Sequence, residues 1–251
     1  MEITVAELVH RFDTGEIRLP LMQRDYVWKG KKVAKLLDSL YRGWPIGSFY
    51  VWQTQDAQPT RERVGRVSGV RRLDGVYGFL LDGQQRLTSL SLAIQGEAEG
   101  DLAQRAFFDV ENEQFVLGTS TKTVARRVAA GDPLLVPLSD LFPAQPSNYG
   151  DHATHGAIEK TIQALREQKK LGRGDHHEVA FRSRLHRVAR MLACRALCEE
   201  FTDDDEEHAF ELFSRLNKGG TSLQAGDVEA ARLASAGTRK IVAPMRSVVA
   251  E

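Results

Sequence analysis

Five consecutive residues, Asp82, Gly83, Gln84, Gln85 and Arg86, bring together a carboxylate, a residue free to take positive φ, two neutral amides and a permanent cation. An apolar run, Phe79, Leu80 and Leu81, precedes them, and Leu87 and Leu90 follow at helical spacing. The loop therefore reads as the passage from a strand into a helix. Such a junction exposes unpaired backbone N–H groups and the positive end of the helix dipole, which suits a phosphate. Arg86 adds a planar fork able to grip phosphate oxygens in pairs. Asp82 does not favour phosphate directly, and its candidate jobs are holding a magnesium ion or orienting an attacking water. Gln84 and Gln85 offer amides to a water or a base edge. The same five residues also read as a solvated Asp-Gly turn with a helix-capping carboxylate, and their chemistry alone leaves both readings open.

A second constellation is Gln23, Arg24, Asp25, Tyr26, Val27 and Trp28, which follows Pro20. Gln23 and Arg24 are candidates for phosphate or base contact, and Tyr26 and Trp28 for walling a pocket or stacking on a base. The alternative is that the two aromatics anchor the loop on the core and Arg24 pairs with an acid. A third group, from Phe213 through Asn217, Lys218, Gly219 and Gly220, has the composition of a helix C-terminus. Its functional reading has Asn217 lend an amide to the site. Arg61, Arg63, Arg66, Arg71 and Arg72 make a locally basic stretch, a candidate DNA contact as well as an ordinary solvated loop. Cys194 and Cys198 read as core residues, and His152, His155, His176 and His177 lack a metal-ligand pattern. There is no Walker loop and no nucleophile elbow.

The elements that must position these groups alternate in type. A short amphipathic segment is expected over residues 5–12 and helices over 31–41 and 87–94, with Gly43 stopping the first of these helices. Strands are expected over 46–52 and 76–81, and a hairpin over 107–117 turning at Glu111, Asn112 and Glu113. Residues 121–151 read as a short helix with proline-punctuated loop. Residues 156–192 are mostly helical with a break at Gly172, Arg173 and Gly174. Residues 193–201 fit a helix end or a strand equally. Acid at 203–206 then marks a helix start, and a last helix follows Thr221 or Ser222.

Composition bounds the rest. The 251 residues are 42% hydrophobic and 27% charged, enough for a core without metal or disulfide support. Thirty-four basic residues balance 34 acidic ones, so no overall positive field draws a polyanion, although a local patch is allowed. No apolar run approaches the ~20 residues that span a bilayer, and no signal peptide opens the chain; it reads as cytoplasmic.

Taken in order, the 23–28 segment, the turn at Pro45, Ile46 and Gly47, the DGQQR loop at 82–86, the 108–111 strand and the 213–223 segment resemble the N-terminal domain of GmrSD-type modification-dependent restriction proteins. The resemblance covers most of the chain, and between about 120 and 190 only the helical character matches. It implies an α+β fold, with a ParB/sulfiredoxin-like mixed-sheet core over 1–120 and a mainly helical portion over 121–251 that packs on it and completes the site. It also implies binding, and hydrolysis, of a nucleoside triphosphate, with Mg2+ as a candidate cofactor at Asp82. Asp82, Gln84, Gln85 and Arg86 become the expected catalytic residues, and Gln23, Arg24, Gly83, Arg86 and Asn217 the expected nucleotide contacts. Tyr26, Trp28, Arg61 and Arg63 remain candidate contacts to modified DNA. Family members carry a further nuclease domain of the His-Asn-His type. No such motif occurs here, so a nuclease domain or subunit is expected as partner, in an assembly that could be oligomeric. The competing expectation is a non-enzymatic module that reads modified DNA or its phosphate backbone.

Overall fold

The computed structural model describes residues 2–56, 58, 60, 75–95, 105–118, 121–142, 152–168, 171 and 176–217. Arg61 and Arg63, the glycine break at 172–174 and the helix expected after residue 221 lie outside these. Helix α1 (Val5–Asp13) follows strand β1 (Glu2–Thr4); the Thr4 hydroxyl accepts from the N–H of Glu7 at 3.1 Å and caps it. Its buried Val5, Leu8, Val9 and Phe12 recur at helical spacing and form one face of the core. Strand β2 (Ile17–Arg18) and helix α2 (Gly30–Tyr41) come next, the latter burying Val33, Leu36, Leu37 and Leu40.

Strands β3 (Phe49–Thr54) and β4 (Tyr77–Asp82) are the centre of the main sheet. Helix α3 (Gln84–Gln95) follows β4 after a single residue. Strands β5 (Ala106–Asp109) and β6 (Gln114–Leu117) form the expected hairpin. Beyond helix α4 (Lys122–Ala129), strand β7 (Leu135–Pro137) pairs with β5, where the sequence suggested only loop; three residues ending in proline leave too short a pattern to detect. Helices α5 (Leu138–Leu141), α6 (His152–Glu167) and α7 (His176–Ala189) lead through a 3-10 turn (Arg190–Ala193) to strand β8 (Arg195–Thr202). The ambiguous stretch after residue 193 is thus a strand. Helix α8 (Glu206–Asn217) closes the described chain, with the Asp205 carboxylate accepting from the N–H of Glu207 at 2.8 Å.

The fold is α+β, with a mixed five-stranded sheet ordered β1-β8-β3-β4-β2 and a three-stranded sheet ordered β6-β5-β7. Strand β8 runs parallel to β3, so the second half of the chain supplies an inner strand to the sheet of the first half. Side-chain alternation divides the sheet's two faces. Phe49, Val51 and Leu80 join the main core with α1, α2 and α3, whereas Trp52, Phe79 and Leu81 pack with Met22, Ala209 and Phe213 beneath α8. The small sheet joins the main core through Tyr41, Phe108 and Phe115, whose ring centroids lie 5.0–5.8 Å apart.

The hairpin carries a fully buried carboxylate. Asp109 is 0% exposed, with Arg127 Nη1 at 2.5 Å and the Asn112 side chain at 3.0 Å. Burial pushes its pKa up, but hydrogen bonds from Arg127 and from the side chain and backbone of Asn112 outweigh that and hold it below the ordinary value. The carboxylate's contribution to stability is complete above its unfolded-state pKa of about 3.9 and is lost as pH falls through the lower folded value. Wild type and Asp109→Asn are therefore expected to differ in melting temperature at pH 7 and to converge as the pH falls through the lowered folded value. Parallel melting curves from pH 7 to pH 2 would overturn this role.

Candidate functional site

The 82–86 loop is built to a tight specification. Gly83 has φ +97°, and its carbonyl accepts the N–H of Leu87 at 2.9 Å, the first bond of α3. A Cβ at this position would collide with the Phe49 ring, lying 2.9 Å from Cε1 and closer still to Cδ1. Asp82 ends β4 opposite Tyr50, where the β3–β4 register shifts. The first turn of α3 holds no acidic residue, and the Asp82 carboxylate, which precedes the helix, is engaged by Arg86 of that turn.

The side chains of the loop turn inward. Arg86 donates from Nη1 to the Ile46 carbonyl at 2.7 Å, and from Nη2 to the Ser48 carbonyl at 2.9 Å and to Asp82 Oδ2 at 2.8 Å. Its guanidinium also lies 4.8 Å over the Phe49 ring. Burial lowers its pKa, and Asp82 pulls it back up. Gly47, with φ +86°, leaves the space that this guanidinium occupies; a Cβ there would run into Nη1 and sit 3.2 Å from Cζ. This explains why β3 starts at Phe49 and not at Ile46 as its composition suggested. The carbonyls of Ile46 and Ser48 serve the arginine, and the glycine between them turns the chain.

The two glutamines grip the second constellation. Gln85 Oε1 accepts from the N–H groups of Val27 (2.8 Å) and Trp28 (3.2 Å), while its Nε2 donates to the Asp25 carbonyl (2.9 Å). Gln84 Nε2 donates to the Arg24 carbonyl at 2.6 Å. Gln23, itself buried, donates to the carbonyls of Leu80 and Leu81 at 2.9 and 2.7 Å. Primary amides carry both donor and acceptor and so imitate a neighbouring strand. They hold the 24–28 segment, which forms no ladder of its own, against the start of α3. The half-buried Tyr26 is fixed by a 3.0 Å bond between its hydroxyl and Ser89, and Trp28 packs on the main core, so both aromatics anchor the segment. Burial raises the Tyr26 pKa, with the Ser89 bond opposing.

The structure thus brings together Gln23, Arg24, Tyr26, Trp28 and the whole 82–86 loop. Asn217 ends α8, which packs against β4 through Phe213 and Leu81; its side chain lies outside the described residues. Some polar capacity stays unused. The Arg24 side chain is exposed, and no partner for its guanidinium occurs among the described residues. Asp82 keeps 37% of its side chain exposed with one oxygen on Arg86. Gln84 Oε1 and Thr88 Oγ1, four residues apart on α3, are buried without a hydrogen-bond partner among the described residues. Sequence reasoning missed Ser48, Phe49 and Ser89. Only Ser89 left a signal, since it sits one helical turn beyond Gln85. Among the described residues, no three His, Cys, Asp or Glu side chains converge as a metal-binding group. No described helix is long and apolar enough to cross a membrane.

The class of the protein is given by a family match that spans nearly the whole of this α+β chain. The chain belongs to the family described as GmrSD restriction endonuclease, N-terminal domain, whose profile matches residues 5–234. It is accordingly a restriction-system component. It is also 34% identical over 96 residues to an uncharacterized protein of Methanocaldococcus jannaschii, a match covering 35% of this chain and 16% of that protein. The chain therefore spans only a small part of that relative's length.

Proposed function

We propose that this domain binds a nucleoside triphosphate at the N-terminus of α3 and hydrolyses it, and that the event regulates a nuclease domain or subunit acting on modified DNA. The observation that carries this reading is the clamping of the 24–28 segment onto the first turn of α3, beside an exposed Arg24 that has no partner among the described residues. Free helix amides and a neighbouring guanidinium are what phosphate oxygens require. The orphaned Gln84 Oε1 accommodates a donor, either a water or a ligand hydroxyl or amine.

The division of labour follows from the hydrogen bonds. Arg24 is the phosphate-gripping arginine of this proposal. Arg86, Gln85 and Gly83 set the geometry, because their bonding capacity is directed at protein groups. Asp82, held by Arg86 and half open to solvent, is the candidate magnesium ligand. A magnesium ion bound there would neutralise charge on the phosphate oxygens. Gln84 is positioned to hold a water through its unused oxygen.

Phosphate release from each of the four nucleoside triphosphates, with and without Mg2+, tests the proposal. Arg24→Ala is expected to lower kcat/KM at least tenfold, equivalent to about 1.4 kcal/mol of transition-state binding, at unchanged melting temperature. Equal background turnover in both proteins would sink the hydrolase reading. Exposed Lys29, Lys31 and Lys32 at the start of α2 favour the second reading, a DNA-backbone contact. Steeply salt-dependent duplex binding without any phosphate release would establish that reading instead.

A further inference from the structure

The C-terminal end of α2 and one face of α7 border an open cleft of about 700 Å³ that the motif loops do not touch. Ser183, His186, Arg187 and Arg190 recur at helical spacing along its wall, and Arg42 faces them from the end of α2. Leu40 and Met191, 3% and 2% exposed, make an apolar floor.

The charge on this wall is not balanced by the acids beside it. Arg42 pairs with Asp38 at 2.8 Å, both partly exposed, a surface pair of little worth. Glu113 must serve Arg184, Arg187 and the Tyr41 hydroxyl together, the first two at 3.3 Å and the last at 2.6 Å. Burial and that bond push the Tyr41 pKa up, so the phenol stays neutral. Arg190 has no acidic partner among the described residues. The guanidiniums are not required to close α2 either. Its carbonyls at Asp38, Ser39 and Leu40 already accept from the backbone N–H groups of Arg42, Trp44 and Gly43 at 2.8–3.0 Å.

We propose that this cleft binds a phosphorylated small molecule of nucleotide size, at a site separate from the N-terminus of α3. Arg190, Arg187 and Arg42 take the phosphate oxygens, the Ser183 hydroxyl adds a donor, and the Leu40–Met191 floor seats the apolar part of the ligand. A cleft of this volume lies in the range that holds such ligands, and the guanidinium fork matches phosphate geometry. The inference goes beyond the proposed hydrolysis and does not depend on it.

Calorimetric titration of the full chain with ADP and with inorganic pyrophosphate, neither requiring turnover, tests the site. Arg190→Glu is expected to weaken binding of both at least tenfold. Arg190→Gln, which removes the charge and keeps much of the stem, should show a smaller loss of the same sign, and both losses should persist in the Arg24→Ala background, where the proposed α3 site is weakened. Circular dichroism melting of the variants, expected to match wild type because Arg190 is exposed, reports folding. Undiminished binding in both Arg190 variants, or no binding of either probe at millimolar concentration, overturns the proposal. A duplex DNA oligonucleotide that binds in an Arg190-dependent way when ADP and pyrophosphate do not would also overturn it, in favour of a polymer.

Discussion

Arg86→Met is expected to destabilise the domain by about 3–4 kcal/mol, measured by urea unfolding. The substitution removes three hydrogen bonds from a guanidinium only 18% exposed. It strands the carbonyls of Ile46 and Ser48, and each unsatisfied buried acceptor costs about 1–3 kcal/mol. Asp82 recovers part of its loss through water, because its side chain is 37% exposed. That keeps the total near the lower end of the range for breaking a buried pair. Arg86→Lys keeps the charge but cannot span two carbonyls and a carboxylate in one plane, so most of the loss should remain. Asp82→Asn, by contrast, should cost only about 1 kcal/mol, since the carboxylate is partly hydrated. A loss under 1 kcal/mol for Arg86→Met would show that the turn at 46–48 holds without its clip. Any fall in nucleotide turnover caused by an Arg86 variant must therefore be read beside its melting temperature. Only a variant such as Arg24→Ala separates phosphate contact from the integrity of the loop.

Gly83→Ala is expected to cost about 2–5 kcal/mol, from two additive sources. A non-glycine residue at φ +97° carries about 1–2 kcal/mol of backbone strain. The added methyl also overlaps the fully buried Phe49 ring, and overpacking of that kind costs about 1–3 kcal/mol. The two parts can be separated experimentally. Phe49→Leu removes the clash but also the aromatic face beneath Arg86. The double variant should then be less destabilised than the sum of the single changes, recovering the steric part and leaving the strain. Strict additivity of the two substitutions would show that Phe49 is not what requires glycine at this position.

These residues also mark the limit of what could be read from the chain. The strand–loop–helix passage around Asp82 to Arg86 was legible because apolar residues crowd both sides and a glycine separates them. What the loop's side chains grip was not. Two glutamines in a row look like solvent-facing amides until the 24–28 segment lies beside them, and that pairing joins residues about 60 positions apart. Arg86 looked like a free cation for the same reason. The carbonyls it binds belong to a turn 38 to 40 residues earlier, and a backbone carbonyl leaves no trace in residue type.

The α+β class came with the family resemblance, whereas the sequence by itself determined the amphipathic segment that forms α1, helix α2, the β5–β6 hairpin, the acidic start of α8 and the location of the motif loop. Each is written in local periodicity, capping chemistry or turn composition. Only the tertiary structure decided that the stretch after residue 193 is an inner strand, that β7 exists, and that the arginine of the loop clips a turn while Arg24 stays exposed. Those outcomes depend on long-range hydrogen bonds and burial, which are properties of pairs of segments. Local residue pattern sets which groups are available; which of them the fold leaves unspent for a ligand is settled only once distant segments have taken their share.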